Sequence, residues 1–193
     1  MKPTPLLQRY EDLLRERAVP LGMISRADAP LLRPRHIDDS LRAMDAFREG
    51  DARAYDIGSG AGLPGLVLAI ALPDRRFTLI EPRARRAAFL ELAVERLELP
   101  NVEVVAAPVE EVARRVRAGD LPSADLATAR AFAPLERAWP AARSLLGPGG
   151  RLVYFAGEGM QDPRGEAERV GGGEATVELL LDSPAPLVIM TLE

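Results

Sequence analysis

From Arg53 onward the chain alternates short β-type apolar runs with segments of helical periodicity, and this alternation constrains the fold more than any other feature. Arg53–Ile57 reads as a strand, and Leu63–Leu72 as a helix closed by Pro73. Arg76–Glu81 is the second strand, followed by a helix over Arg83–Leu97 that turns Phe89, Leu90, Ala93 and Leu97 inward. Val102–Ala106 and Ala124–Thr128 are the third and fourth strands, trailed by helices over Val109–Val116 and from Pro134 to about Leu146. Gly147-Pro148-Gly149-Gly150 reads as a turn before a fifth strand, Arg151–Phe155. Repeated strand–helix units of this length specify a parallel sheet with right-handed crossovers.

The two ends depart from this rhythm. Glu174–Leu181 and Leu187–Leu192 both read as strands, with only Asp182-Ser183-Pro184-Ala185-Pro186 between them. A parallel crossover needs about a dozen residues, so this pair is antiparallel. A mostly parallel seven-stranded sheet ending in an antiparallel hairpin is not the six-stranded dinucleotide fold. It is the α/β, Rossmann-like arrangement of class I S-adenosylmethionine-dependent methyltransferases. Gly171–Gly173 reads as a local loop.

At the other end, Thr4-Pro5 makes a cap and first-turn pair for a helix carrying Leu6, Leu7, Tyr10, Leu13 and Leu14. A second helix is expected after the proline-rich connection. Asp39 or Ser40 is its cap, Leu41, Met44 and Phe47 its apolar face, and Gly50 its stop. With roughly 150 residues to a domain, the 193-residue chain divides into an N-terminal helical cap, 1–50, and a Rossmann-like domain, 51–193.

The chemistry concentrates where the first strand ends, at Tyr55-Asp56-Ile57-Gly58-Ser59-Gly60-Ala61-Gly62-Leu63-Pro64-Gly65. In an open α/β sheet ligands bind at the carboxyl ends of the strands, beside the reversal of strand order. The third glycine of the dinucleotide fingerprint would fall at Leu63, so the loop does not match that pattern. It suits a ligand without a pyrophosphate, such as S-adenosyl-L-methionine. Asp56 would organise the loop or reach the ligand's amine through water, while Gly58, Ser59, Gly60 and Gly62 pass beneath its methionine and ribose. About 20 residues past the glycines a carboxylate is expected on the ribose hydroxyls, and Glu81 ends the second strand there.

Composition trims the alternatives. The chain has no cysteine, which excludes disulfides, thiolate metal sites and a cysteine nucleophile. His36 is the single histidine, so no metal is expected. Of the 25 basic side chains only Lys2 is a lysine, and arginine is the better reader of phosphates and bases. The net charge is nevertheless −4, so nucleic acid would need a local patch. No stretch reaches the roughly 18 apolar residues of a membrane helix. The N-terminus turns polar too early for a secretory signal, so a cytoplasmic location is expected.

Four stretches carry a family resemblance. They are His36-Ile37-Asp38-Asp39-Ser40-Leu41, the loop from Asp56 to Leu66 with its Pro64-Gly65 pair, Arg85-Arg86-Ala87-Ala88-Phe89-Leu90, and Thr128-Ala129-Arg130-Ala131. Together they resemble the glucose-inhibited division protein B family, guanine-N7 methyltransferases of small-subunit ribosomal RNA. Three features depart from the family pattern: Pro108-Val109-Glu110 replaces Arg-Ala-Glu, Ala156-Gly157 replaces Lys-Gly, and the basic tail is missing at Glu193.

The resemblance implies S-adenosylmethionine as cofactor, 16S ribosomal RNA or the small ribosomal subunit as partner, and transfer to guanine N7. That nitrogen carries a lone pair and no proton, so direct in-line transfer needs no general base. The resemblance also places Arg130 and His36 at the catalytic centre and Val109, Glu110 and Arg130 on the cofactor side. Alternatives stay open at several positions. Arg130 contacts the base or a phosphate, or forms a salt bridge. His36 serves the site, or packs and caps. Glu110 or its backbone meets the adenine, or its side chain faces water. Phe132 lines the acceptor pocket or the core. Arg83, Arg85 and Arg86 face RNA or solvent, and Arg114, Arg115 and Arg117 read as solvated. A methyltransferase of the same fold acting on a small molecule or another RNA, and a non-catalytic cofactor-binding module, are the competing functions.

Overall fold

The computed structural model describes residues 4–157, 159–180 and 185–193. Lys2 and most of the connector 182–186 lie outside these residues, so the sequence readings there are not addressed. Strands β1 (Arg53–Ile57), β2 (Arg76–Ile80), β3 (Val102–Val105), β4 (Ala124–Arg130), β5 (Leu146–Phe155), β6 (Ala175–Leu180) and β7 (Leu187–Leu192) form one sheet in the order β3-β2-β1-β4-β5-β7-β6. The first five are mutually parallel, and β7 runs antiparallel to both β5 and β6. The expected class I methyltransferase architecture is the one observed. Strand order reverses between β1 and β4, which opens a crevice at their carboxyl ends.

Helices α3 (Gly65–Ala71), α4 (Ala84–Leu97), α5 (Val109–Ala118) and α6 (Leu135–Arg143) follow β1 to β4, as the alternation predicts. Leu126, Ala127, Ala129, Leu152 and Val153 are buried because the central strands are covered on both faces. A further helix, α7 (Pro163–Gly171), precedes the hairpin. It is absent from the sequence reading, since beyond Pro163 only Ala167 and Val170 of its nine residues carry apolar side chains, too few to set a helical period. Asp162 caps it through a hydrogen bond from Gly165 N–H at 3.0 Å, and Gly172 ends it with a left-handed turn.

Three local expectations are corrected. The Gly147–Gly150 run lies inside β5, where the register against β4 shifts between Ala124 and Leu126, so the glycines continue the strand irregularly. Helix α3 starts at Gly65, because Gly62 and Leu63 bond back to the Ser59 carbonyl and finish the loop first. Asp39 and Ser40 cap nothing. A π-helical segment, Leu32–Ile37, runs directly into α2 (Asp38–Leu41), so no helix start exists there. A 3-10 segment ends at Ala46, before Gly50, and Phe47 is extended, with its ring packed on Phe77 at 6.0 Å.

Helix α1 (Pro5–Leu13) starts as expected, with the Thr4 hydroxyl accepting from Leu7 N–H at 3.3 Å. Its buried Leu7, Tyr10 and Leu13 share one apolar cluster with Leu66 and Val67 of α3 and Phe89 and Leu90 of α4. Each fully buried leucine of this kind contributes about 1.5–3 kcal/mol. The N-terminal segment is thereby fastened to the same face of the sheet as the loop it supports.

Candidate active site

The glycine loop is built from beneath by Asp56. Its side chain is 1% exposed; one oxygen accepts from the Thr128 hydroxyl at 2.7 Å and the other from Gly65 N–H at 3.2 Å. Burial holds this carboxyl above its usual range, against the opposing hydrogen bond from Thr128. Asp56 therefore joins β1, β4 and the start of α3, and of its two sequence readings the structure displays loop organisation. A Cβ at Gly65 would stand 2.6 Å from that carboxylate, so the close approach requires glycine. Ser59 turns its hydroxyl inward to the Asp56 carbonyl at 2.9 Å.

Above the loop the surface is open. A Cβ at Gly60 would meet nothing closer than 3.7 Å. Glu81 is 2% exposed and accepts from Gly60 N–H at 3.0 Å and Arg83 N–H at 2.9 Å. A carboxylate at a strand end beside a glycine-lined surface with no side chain in the way is the setting that a ribose and an amino acid require. Gly58, Ser59, Gly60, Gly62 and Glu81 thus fit S-adenosylmethionine in type and arrangement. Val109 belongs to the core through its side chain, and Glu110 is exposed at the start of α5.

Arg130, at the end of β4, makes the densest set of contacts in the crevice. Its guanidinium donates to the carbonyls of Arg35 at 2.7 Å and His36 at 3.2 Å and to the Ser40 hydroxyl at 3.3 Å. It also meets the Asp39 carboxylate at 3.4 Å and lies over the Phe155 ring. His36 Nδ1 lies 3.1 Å from the same guanidinium, which pairs them with the imidazole as acceptor. Burial, then the Arg130 charge, hold His36 below its ordinary value, and burial lowers Arg130 as well. The two residues expected at the catalytic centre are brought together, and Arg130 clasps the N-terminal segment onto β4.

Beyond Arg130 the backbone enters the left-handed region at Ala131, with φ 51°, a conformation costly for a residue with a side chain. This turn lays Phe132 against the loop, where a Cβ at Gly58 would stand 2.7 Å from the ring. Phe132, His36 and Arg130 line a cavity of about 770 Å³ that continues past Tyr154 and Ala156. Among the described residues no cluster of three or more His, Asp or Glu is placed to hold a metal ion, and no helix is long and apolar enough to cross a membrane.

The model of the family described as rRNA small subunit methyltransferase G matches residues 4–171. The chain belongs to this family. It is 43% identical over 173 residues to the ribosomal RNA small subunit methyltransferase G of Salinispora arenicola, covering 87% of this chain and 71% of that protein. Over 184 residues it is 40% identical to the Thermobifida fusca protein of the same name, covering 88% and 75%. Among solved structures it is similar to the O-methyltransferase from Bacillus cereus in complex with SAH, with a TM-score of 0.66 at 17% identity, covering 100% of this chain and 93% of that one. That likeness concerns the fold.

Within this methyltransferase family member, several contributors to the site escaped the sequence reading. Tyr10 donates its hydroxyl to the Ala61 carbonyl at 2.7 Å and fills the space beside Gly62. Its only sequence signal was helical spacing, which marks core and not loop support. Thr128 was quoted for its resemblance alone, yet it holds Asp56. Arg83 and Arg85 are exposed, and Arg86 stands 4.0 Å from Glu81, so these three edge the loop without closing it.

Proposed function

We propose that the protein methylates N7 of a guanine in small-subunit ribosomal RNA, drawing the methyl group from S-adenosylmethionine held by the glycine loop and Glu81. The observation that carries this reading is the contact between Phe132 and Gly58, which sets the acceptor cavity directly against the cofactor loop. When bound, the cofactor supplies an electrophilic methyl group on its sulfonium. The protein's own contribution is placement, which by itself lowers barriers by several kcal/mol. Glu81 and the loop orient the donor side, while Arg130, Phe132 and Phe155 shape the acceptor side.

No residue needs to remove a proton, because guanine N7 has none. The surroundings of His36 agree, since its Nδ1 is committed to Arg130 and its protonation is disfavoured. The sequence at the end of β4 and just beyond it, Thr128-Ala129-Arg130-Ala131-Phe132, also lacks the Asn/Asp-Pro-Pro-aromatic turn that an exocyclic amine would call for. The purified protein is expected to transfer label from S-adenosylmethionine to small ribosomal subunits, with strand cleavage at the modified base mapping it to guanine N7. Cofactor binding without transfer to any RNA would sink the proposal.

A further inference from the structure

We propose that the Glu166 carboxylate reads the N1–H and N2–H edge of the acceptor guanine, making it a specificity-determining residue of the transfer site. This assignment rests on the guanine-N7 reading above and deepens it.

Phe132 lines the cavity where its ring touches Gly58, and Glu166, in the first half of α7, lines it as well. Because β1, β4, β5 and β7 follow one another across the sheet and α7 packs on α6, β6 and β7, Glu166 stands on the wall away from the cofactor loop. A guanine that turns N7 toward the loop turns its opposite edge toward that wall. The edge carries two N–H donors side by side, and an ionised carboxylate offers two acceptor oxygens in a matching fork. Adenine presents a lone pair at N1 in the same place and would be repelled.

Among the described residues three carboxylates line the cavity, and two are already committed. Asp39 accepts from Arg42 at 2.7 Å and faces Arg130. Asp28 accepts from the Ser25 hydroxyl at 2.6 Å and from Arg35 at 3.1 Å. The Glu166 side chain makes no hydrogen bond or ion pair with any of the described residues. It is half-buried and lines the cavity together with Tyr154. Small residues, Ala133, Ala156 and Gly157, line the cavity beside Tyr154 and Phe132, and its volume of about 770 Å³ admits a purine ring.

The test uses the full chain and its Glu166→Gln, Glu166→Ala and Glu166→Asp variants. Substrates are labelled S-adenosylmethionine and small ribosomal subunits from a bacterium lacking 7-methylguanosine in that RNA. Nucleosides are identified by mass spectrometry, and cofactor affinity and Tm are measured alongside. Glu166→Gln and Glu166→Ala are expected to lower kcat/KM for the subunit about tenfold or more, with cofactor affinity and Tm unchanged and partial recovery in Glu166→Asp. Wild-type kcat/KM in both variants overturns the assignment, as does a loss that tracks Tm or cofactor affinity. If the unaltered protein forms a methylated nucleoside other than 7-methylguanosine, the guanine-N7 reading fails first and this assignment with it. If it forms 7-methylguanosine and the variants match it, only the role of Glu166 fails.

Discussion

The hydroxyl of Tyr10 and the carbonyl of Ala61 are joined by a buried 2.7 Å hydrogen bond, which ties the first helix to the glycine loop. Tyr10→Phe keeps the ring and leaves that carbonyl without its partner. The expected cost is about 1–3 kcal/mol of stability, read as a lower Tm, together with weaker S-adenosylmethionine binding by calorimetry. Unaltered values for both would show that the loop does not depend on this tie.

Glu81 is proposed as the acceptor for the cofactor's ribose hydroxyls. Its replacement by alanine removes the acceptor for Gly60 and Arg83 N–H as well as for the ribose hydroxyls. Cofactor affinity should fall by about 1–3 kcal/mol. An unchanged dissociation constant would refute the assignment.

Gly58 and Phe132 should be energetically coupled. Gly58→Ala places a methyl group 2.7 Å from the Phe132 ring at φ +70°, and the backbone alone costs about 1–2 kcal/mol there. Phe132→Ala in the same chain relieves the clash but not the backbone strain. A double-mutant cycle should therefore give a coupling above about 0.5 kcal/mol in stability. Strict additivity would mean that the ring does not rest on the loop.

His36 makes the clasp sensitive to acid. Its folded pKa lies below the ordinary value of 6.5, through burial first and then the Arg130 charge, with Arg35 adding to the effect and Asp28 and Asp39 opposing it. The unfolded chain thus takes up its proton first as pH falls. The stabilisation is fully present above pH 6.5 and is lost as pH drops through the folded value. Thermal melts from pH 8 to 5 should show this loss in the wild type. His36→Gln, which keeps a neutral acceptor for Arg130, should flatten that part of the profile. Parallel profiles for the two proteins would count against the clasp.

Arg130→Lys tests the clasp from the other side. A lysine retains the charge but cannot reach the Arg35 and His36 carbonyls, Ser40 and Asp39 with one planar fork. Methyl transfer should fall by at least tenfold, while cofactor affinity changes less, since Glu81 and the loop are untouched. Full activity would remove Arg130 from the acceptor side.

Local patterns made most of this molecule legible. β1 and β7 have the predicted bounds, and the short link between the last two strands was enough to require an antiparallel pair. The placement of Asp56 under the glycine loop and of Glu81 beside it was legible because it depends on spacing along one strand–loop–helix unit, which a linear reading preserves. Where neighbours in space decide, the linear reading erred. Asp39 and Ser40 carry the residue types of helix caps, but they serve Arg42 and Arg130 because the preceding segment is already helical. α7 was missed because polar residues supply little hydrophobic period, and with it Glu166 went unnoticed.

Residue order by itself determined the sheet's alternation, its antiparallel ending and the glycine loop, since hydrophobic period, turn residues and loop length act over a few residues. The tertiary structure alone decided which groups meet across 94 positions, as His36 and Arg130 do, and which of the described carboxylates in the cavity stays uncommitted. Those outcomes depend on strand order and on burial. Both arise only when distant segments pack and water is driven out from between them.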